Sequence, residues 1–489
     1  MDKERKWALR RKLDENLAIL EKELGVGESF DVIVRKFTIG GRKAALVFLD
    51  GFAKDLVMQG VTEFLLKTQR SQVVPHVIRD LIEKRLTFIE AGTVNDINEL
   101  IDEVLAGPLA LLIDGEKEAI LIDAREYPGR NPDEPDLERV LRGSRDGFVE
   151  TLIFNVSLVR RRIRDRFLRT EVLSIGSRSK TDVCFMYIKD IANPTLVQEI
   201  RDRLANIVVD AIPMAEKTVE EFIVDKYDWW NPFPIVRYTE RPDVVAVHLL
   251  EGHVAIMVDT SPGCLILPAT LFHHVQHAEE FRDNVAIGAY MRWVRFLGLL
   301  FAWFGTPLWL LLATNRALVP PFLAFIGPQQ PTALPLGMQF IIAEVAVDLI
   351  RIALIHTPNA LATSLGFIGA LLLGEMAIEI GLFAAETVIY VAVAAIGTFA
   401  SPSMEFGQAI RLFRLLFIIL VFAFGPAGLA VGLIFNAALL LLTKSFSVPY
   451  LWPLLPFDWR GMKAILVRQP VPVQHVRLGI LRPQKRRKR

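Results

Sequence analysis

A few ionisable residues stand where charge is scarce. Between Phe296 and Thr443 the chain carries six acidic and four basic side chains in 148 positions; the other 341 positions hold 101 charges. Within the poor stretch, Glu344, Asp348 and Arg351 are spaced i, i+4 and i+7, on one face of a helix. Glu375 and Glu379 follow at i, i+4. A charge at the centre of a bilayer costs on the order of 3 kcal/mol, so such residues face protein or water. Carboxylates there can attract cations, line a pore or form a gate. For the 344–351 trio a second reading stays open: internal neutralisation, with Arg351 bridging Glu344 or Asp348. Glu375 and Glu379 have no basic residue nearby in sequence and read as pore or gate groups. In the alternative, Glu379 and Glu386 border a short hairpin at the outer surface.

Other reactive residue types lead elsewhere. Cys184 and Cys264 belong to no CxxC or Cys/His cluster and read as buried free thiols in a reducing compartment. His273 and His277 lie one helical turn apart near Glu280, which allows a metal. The segment lacks the Glu of HExxH and precedes the first apolar run, so it reads as a polar collar. Gly176–Thr181 (GSRSKT) lacks the GxxxxGK[ST] frame and precedes a strand, so it reads as a solvated turn. With no triad, metal spacing or phosphate loop, neither an enzyme nor a cofactor is expected.

The elements that position these residues follow from periodicity. Overall the chain is 52% hydrophobic with net charge +1, values that fit a soluble protein until they are resolved along the sequence. Residues 1–28 carry Trp7, Leu9, Leu13, Leu17, Leu20 and Leu24 at helical spacing, with no apolar signal segment. Residues 29–140 read as a first α/β domain, with a hairpin at Gly40-Gly41 and the runs LALLID and EAILID. YPGRNPDEP (127–135) reads as a linker or exposed loop. Residues 141–290 read as a second α/β domain, with strands at 171–176, 182–188, 244–250 and 254–259 and a helix from Pro194.

Residues 291–460 read as a membrane domain. Spans are expected at Phe296–Ala313, Gly337–Ile355, Leu361–Ile380 and Leu382–Ala400. The last apolar run, Leu415–Thr443, is too long for one span and too short for two full ones. Gly425-Pro426-Ala427-Gly428 divides it, with Gly425, Pro426 and Gly428 as hinge candidates in a terminal helical hairpin. This arrangement keeps Arg292, Arg295, Arg351, Arg411, Arg414 and the tail on the cytoplasmic side, as the positive-inside rule asks. Residues 461–489 read as a basic cytoplasmic tail; from Lys463 on there are nine basic residues and no acidic one. Beside a membrane domain, anionic lipid is the expected partner, not nucleic acid. The expected architecture is therefore two N-terminal soluble α/β domains followed by an all-α multi-spanning membrane domain.

Four segments carry a resemblance. GFVETLIFNVSLVRRRIRD (147–165), GSRSKTDVCFMYIKDIANPTLVQEIRDRL (176–204), PFPIVRYTERPDVVAVHLLEGHVAIMVDTSPGCLILP (232–268) and SFSVPYLWPLLPF (445–457) resemble the GerA spore-germination family, A-subunit type. The match runs in order through both halves. The chain departs from the family at PTALPLGMQF (331–340), which lacks a Phe between prolines, and at Glu375, where many members carry Gln. The resemblance implies a protein of the inner spore membrane that acts in germination beside other germination membrane proteins. It implies a homo-oligomer that conducts ions, and it matches Glu344 and Glu379 to acidic places in the family's membrane pattern. A non-conducting scaffold that links germination receptors to the dipicolinate-release machinery is the competing expectation.

Overall fold

A computed structural model describes residues 7–53, 55–68, 78, 81, 90–125, 138, 140, 142–315, 317, 319–321, 326–356, 369 and 371–488. The expected linker 127–135 and residues 361–368 and 370 of the expected span Leu361–Ile380 lie outside the described residues. The chain divides into two compact units. One comprises Met1–Asp225, Tyr238–Pro268 and Gln474–Arg489; the other comprises Lys226–Arg237 and Ala269–Val473.

The first unit holds two five-stranded sheets. Strands β1 (Val32–Ile39), β2 (Arg42–Leu49), β3 (Ala91–Val94), β4 (Leu109–Ile113) and β5 (Ala119–Ile122) are ordered β1-β2-β4-β5-β3. Gly40 and Gly41 both take positive φ in the β1–β2 turn, which the right-handed twist of a tight hairpin favours. Helices α1 (Leu13–Leu24) and α3 (Ile97–Ala106) pack on one face of this sheet, and α2 (Asp55–Lys67) packs on the other. Strands β2 and β4 are therefore covered on both faces, which explains why they read as continuous apolar runs.

The second sheet repeats the first. Strands β6 (Leu168–Ile175), β7 (Thr181–Ile188), β8 (Arg237–Thr239), β9 (Val254–Val258) and β10 (Cys264–Leu267) are ordered β6-β7-β9-β10-β8. Helix α4 (Leu152–Arg162) precedes it; α5 (Pro194–Ala205), α6 (Ala215–Ile223) and α7 (Pro242–Glu251) are inserted as in the first. Local bonds are duplicated too. Asn16 in α1 accepts from the Arg10 N–H at 2.9 Å, and Asn155 in α4 accepts from the Val149 N–H at 2.8 Å. Asp114 after β4 accepts from the Leu13 N–H, and Asp259 after β9 from the Leu152 N–H, both at 3.0 Å. Residues 244–250, expected as a strand, lie in α7. Pro242 opens that helix and Gly252 ends it at φ 105°, punctuation that outweighs the β-branched run between them.

A buried ion pair joins the repeats: Arg160 donates to both oxygens of Asp31, at 2.9 and 3.0 Å. Glu28 bonds Lys189 and Arg169 beside it, and these cations hold its carboxyl below the usual range. The end of the basic tail, expected against anionic lipid, is docked in this unit. Gln484 donates to the carbonyls of Lys189 and Ala192, and Lys485 and Lys488 pair with Asp190 and Glu251.

The second unit is helical: α8 (Val285–Thr314), α9 (Leu336–His356), a π-helical turn (Leu371–Met376) running into Ala377–Glu379, α10 (Ala385–Phe399), α11 (Met404–Leu442) and α12 (Trp459–Leu466). Among the described residues, α8 and α11 are long and apolar enough to cross a membrane. Asn284, Ser403 and Asp458 cap α8, α11 and α12 with side-chain oxygens. Helix α11 is broken at Gly425, whose φ 57° and ψ −134° are open essentially only to glycine. Its two arms fold back on each other: the rings of Phe413 and Phe435 lie 6.1 Å apart. The arms are about 30 and 25 Å long.

Candidate functional site

The acidic residues singled out from the sequence divide three ways: Glu344 is in a buried ion pair, Asp348 in a half-buried one, and Glu375 and Glu379 are exposed. Glu344 of α9 meets Arg414 of α11, not Arg351. Arg414 Nε and Nη2 each donate to a carboxylate oxygen at 2.7 Å, the bidentate geometry that a planar guanidinium favours. Its Nη1 donates to the Ala302 carbonyl of α8 at 2.8 Å and to Thr398 Oγ1 of α10 at 3.2 Å. One side chain thus ties four helices, and both partners are buried. Small residues make this approach feasible: a Cβ on Gly397 would stand 2.3 Å from the Gly298 carbonyl oxygen, so α8 and α10 touch backbone to backbone there.

Asp348, one turn along α9, pairs with Arg411, one turn back along α11. Arg411 is buried, while the Asp348 side chain is 48% exposed. Arg351 is half-buried and belongs to neither pair. Glu344 and Asp348 are thus paired with arginines of α11, not with Arg351, the partner weighed from sequence. Arg411 and Arg414 were legible in sequence only as cytoplasmic-flank charges. Their i, i+3 spacing, set against the i, i+4 spacing of Glu344 and Asp348, is the signal that could have matched them.

Glu375 and Glu379 join neither pair, and both are exposed. Glu375 sits in the π-helical turn, a geometry that recurs at functional sites. The segment ends at Gly381, whose carbonyl accepts from the Ala333 N–H at 2.9 Å. Just beyond, Gln339 at the start of α9 is buried and fully used. It donates to Thr332 Oγ1 and the Leu334 carbonyl, both at 2.7 Å, and accepts from the Ala384 N–H at 2.9 Å and Thr387 Oγ1 at 3.1 Å. Glu386 accepts from the Gln329 N–H at 3.1 Å. These bonds gather the starts of α9 and α10 at one end of the unit, and Glu379 lies at that end.

A second buried network closes the opposite end of α8. Glu280 is fully buried and receives Arg292 Nε at 2.7 Å and also Arg295. Arg292 Nη1 donates to the carbonyls of Ala464 and Ile465 at the end of α12, at 2.8 and 2.7 Å. His273 Nδ1 accepts from the Thr270 N–H and His277 Nδ1 from the Glu279 N–H, so each of these nitrogens caps a short turn. His274 is buried against Phe406, ring centroids 5.9 Å apart. Burial, then the nearby Arg237 guanidinium, pushes its pKa down to about 3. Both cysteines are buried free thiols, and burial raises their pKa values.

Comparison with known proteins gives the family of the chain. The Bacillus/Clostridium GerA spore germination protein model matches residues 18–480. Stage V sporulation protein AF of Bacillus subtilis (strain 168) is 44% identical over 484 residues, 99% of this chain and 98% of the relative. The membrane protein YfkQ of the same organism is 30% identical, covering 93% of this chain and 88% of the relative. Among solved structures, the N-terminal domain of the A subunit of the Bacillus megaterium spore germinant receptor GerK3 is 32% identical with a TM-score of 0.41, covering 54% of this chain and 98% of that one. With a family match over nearly the whole chain and a 44% identical relative aligned over 98% of its own length, the chain belongs to the GerA family of spore germination proteins.

Proposed function

We propose that this chain is the ion-conducting subunit of a GerA-type complex in the inner spore membrane, and that it assembles as a homo-oligomer. It releases monovalent cations and thereby amplifies germination. The helical unit spans the membrane several times. Its first span is α8, its last two are the arms of α11, and both termini of the chain are cytoplasmic. The observation that carries this reading is the exposure of Glu375 and Glu379 on a unit whose α9 carboxylates, Glu344 and Asp348, are paired internally with arginines. Carboxylates exposed on one copy of an apolar unit are costly against lipid, and water at a shared axis removes that cost. Rings of Asp or Glu are how cation channels concentrate their ion. In this reading Glu379, at the shared end of α9 and α10, stands at the pore mouth. Glu344–Arg414 and Asp348–Arg411 then act as the lock that holds α9 against α11, and Gly425, Pro426 and Gly428 set the hairpin beside it.

Spores that carry Glu375→Gln/Glu379→Gln test the reading. The expected result is slower cation release with the protein at its normal level. Unchanged release with normal level contradicts it. A non-conducting scaffold remains the competing reading, favoured by the internal pairing of Glu344 and Asp348; it requires ion release to be indifferent to both carboxylates.

A further inference from the structure

The C-terminal part of the helical unit carries a surface that the conduction reading does not use. After α11 the chain makes a short β11–β12 ladder (Lys444–Ser445 with Val448–Pro449) and then the loop that leads to α12. Leu455, Phe457 and Trp459 on this stretch are 48, 64 and 65% exposed. Helix α12 is two-faced: Met462 and Ile465 are buried, whereas Arg460 and Lys463 are exposed on the side of Trp459. Two contacts fix its orientation. Gly461 packs so close to Trp452 that a Cβ would stand 2.7 Å from the ring, and Arg292 holds the carbonyls of Ala464 and Ile465. Trp230 is 92% exposed, and its neighbour Asn231 donates to Thr443 Oγ1 at 2.7 Å, where α11 ends. Exposed aromatic and leucine side chains thus flank the end of an apolar hairpin, with Lys444, Arg460 and Lys463 among them.

We infer that residues 454–463 form an interfacial anchor that lies in the headgroup layer and selects anionic lipid. The inference rests on the helical unit spanning a membrane. The argument for lipid over a protein partner is continuity: α11 passes from an apolar hairpin directly into this patch. Aromatic rings with apolar bodies, and basic side chains with long stems, are the residue types that settle at a membrane interface. The anionic preference follows from the sign of the flanking charge. The far tail is a poorer candidate, since Lys485 and Lys488 are paired with Asp190 and Glu251. Because Arg292 links α12 to the base of α8, the anchor is also a route by which lipid charge bears on the first helix.

The full-length chain allows a direct test. Its two cysteines are buried, so the unmodified protein serves as the labelling blank. An environment-sensitive fluorophore is placed on Leu455→Cys, Ile434→Cys or Val208→Cys in vesicles of phosphatidylcholine with or without phosphatidylglycerol. Spin-labelled lipids act as quenchers. The label at 455 is expected to be quenched by headgroup-level spins, the label at 434 by spins deep in the acyl chains, and the label at 208 by neither. Spin-labelled phosphatidylglycerol should quench 455 more than the phosphatidylcholine form, by about fivefold per engaged basic residue. The preference should fall to parity in Lys444→Gln/Arg460→Gln/Lys463→Gln. If 455 behaves like 208 while 434 is quenched, the anchor is refuted and the membrane-spanning unit stands. If 434 also stays in water, the spanning unit and the anchor fail together. If 455 is quenched equally by both lipids, the anionic selectivity is refuted.

Discussion

Arg414 shows what one buried cation is asked to do. Its guanidinium meets Glu344 twice, α8 at the Ala302 carbonyl, and α10 at Thr398 and Ala394. Removing one member of such a pair leaves the other charge buried alone, a loss of about 3–5 kcal/mol, whereas an apolar pair of similar volume is often neutral. Arg414→Met should therefore lower the unfolding temperature of the purified protein sharply, and Glu344→Leu/Arg414→Met should restore most of it. A harmless single variant would refute the lock. His274 gives a pH signature. Its folded pKa of about 3 lies below the ordinary value, so the unfolded chain binds the proton first. Its contribution is complete above about pH 6.5 and is lost as pH falls toward 3. The loss is about 2 kcal/mol between pH 6.5 and 5. His274→Phe, stacked likewise on Phe406, should flatten the stability–pH profile in that window; identical slopes would contradict the account. At this scale the sequence showed which acids were anomalous but not their partners. Glu344 and Arg414 are 70 residues apart, and spacing along one helix says nothing about which other helix faces it.

Among the elements, the hairpin in α11 is the most constrained. Beyond Gly425, the decisive residue is Gly428: a Cβ there would stand 1.9 Å from the Leu420 carbonyl oxygen. Backbone cannot yield as a side chain does, so Gly428→Ala should splay the arms at a cost of about 1–3 kcal/mol. Disulfide formation between Phe413→Cys and Phe435→Cys reports the splaying; undiminished crosslinking in Gly428→Ala would contradict it. The break was readable because Gly-Pro-Ala-Gly is dense in residues that interrupt a helix. Helix α7 shows the converse. VVAVHLL has the composition of a strand, and only the flanking Pro242 and Gly252 mark it as helical. Buried on one side and short, it lacks the clean 3.6-residue alternation that separates the two classes.

For the molecule as a whole, the two α/β folds and the charge-poor helical half were legible in residue types and charge density. Their duplication is fainter in the sequence, carried by EVLAGPLALLID (103–114) and HLLEGHVAIMVD (248–259), which align helix end, glycine, strand and terminal aspartate. The residues shared between the copies serve caps and turns, while the core positions exchange one apolar side chain for another, which dilutes identity without changing the fold. The exposed acidic pair belongs to this scale as well, because a ring needs several copies. Its field should act through ions in water and be screened by salt. Neutralising Glu375 and Glu379 should therefore reduce conductance at low salt and matter little at about 1 M, where the Debye length is about 3 Å. The most direct measurement is the current carried by the purified full-length oligomer in a planar bilayer under a potassium chloride gradient. The account predicts discrete cation-selective currents that Glu375→Gln/Glu379→Gln weakens at low salt. An intact oligomer that stays silent, or wild-type conductance and selectivity in that variant, would contradict it.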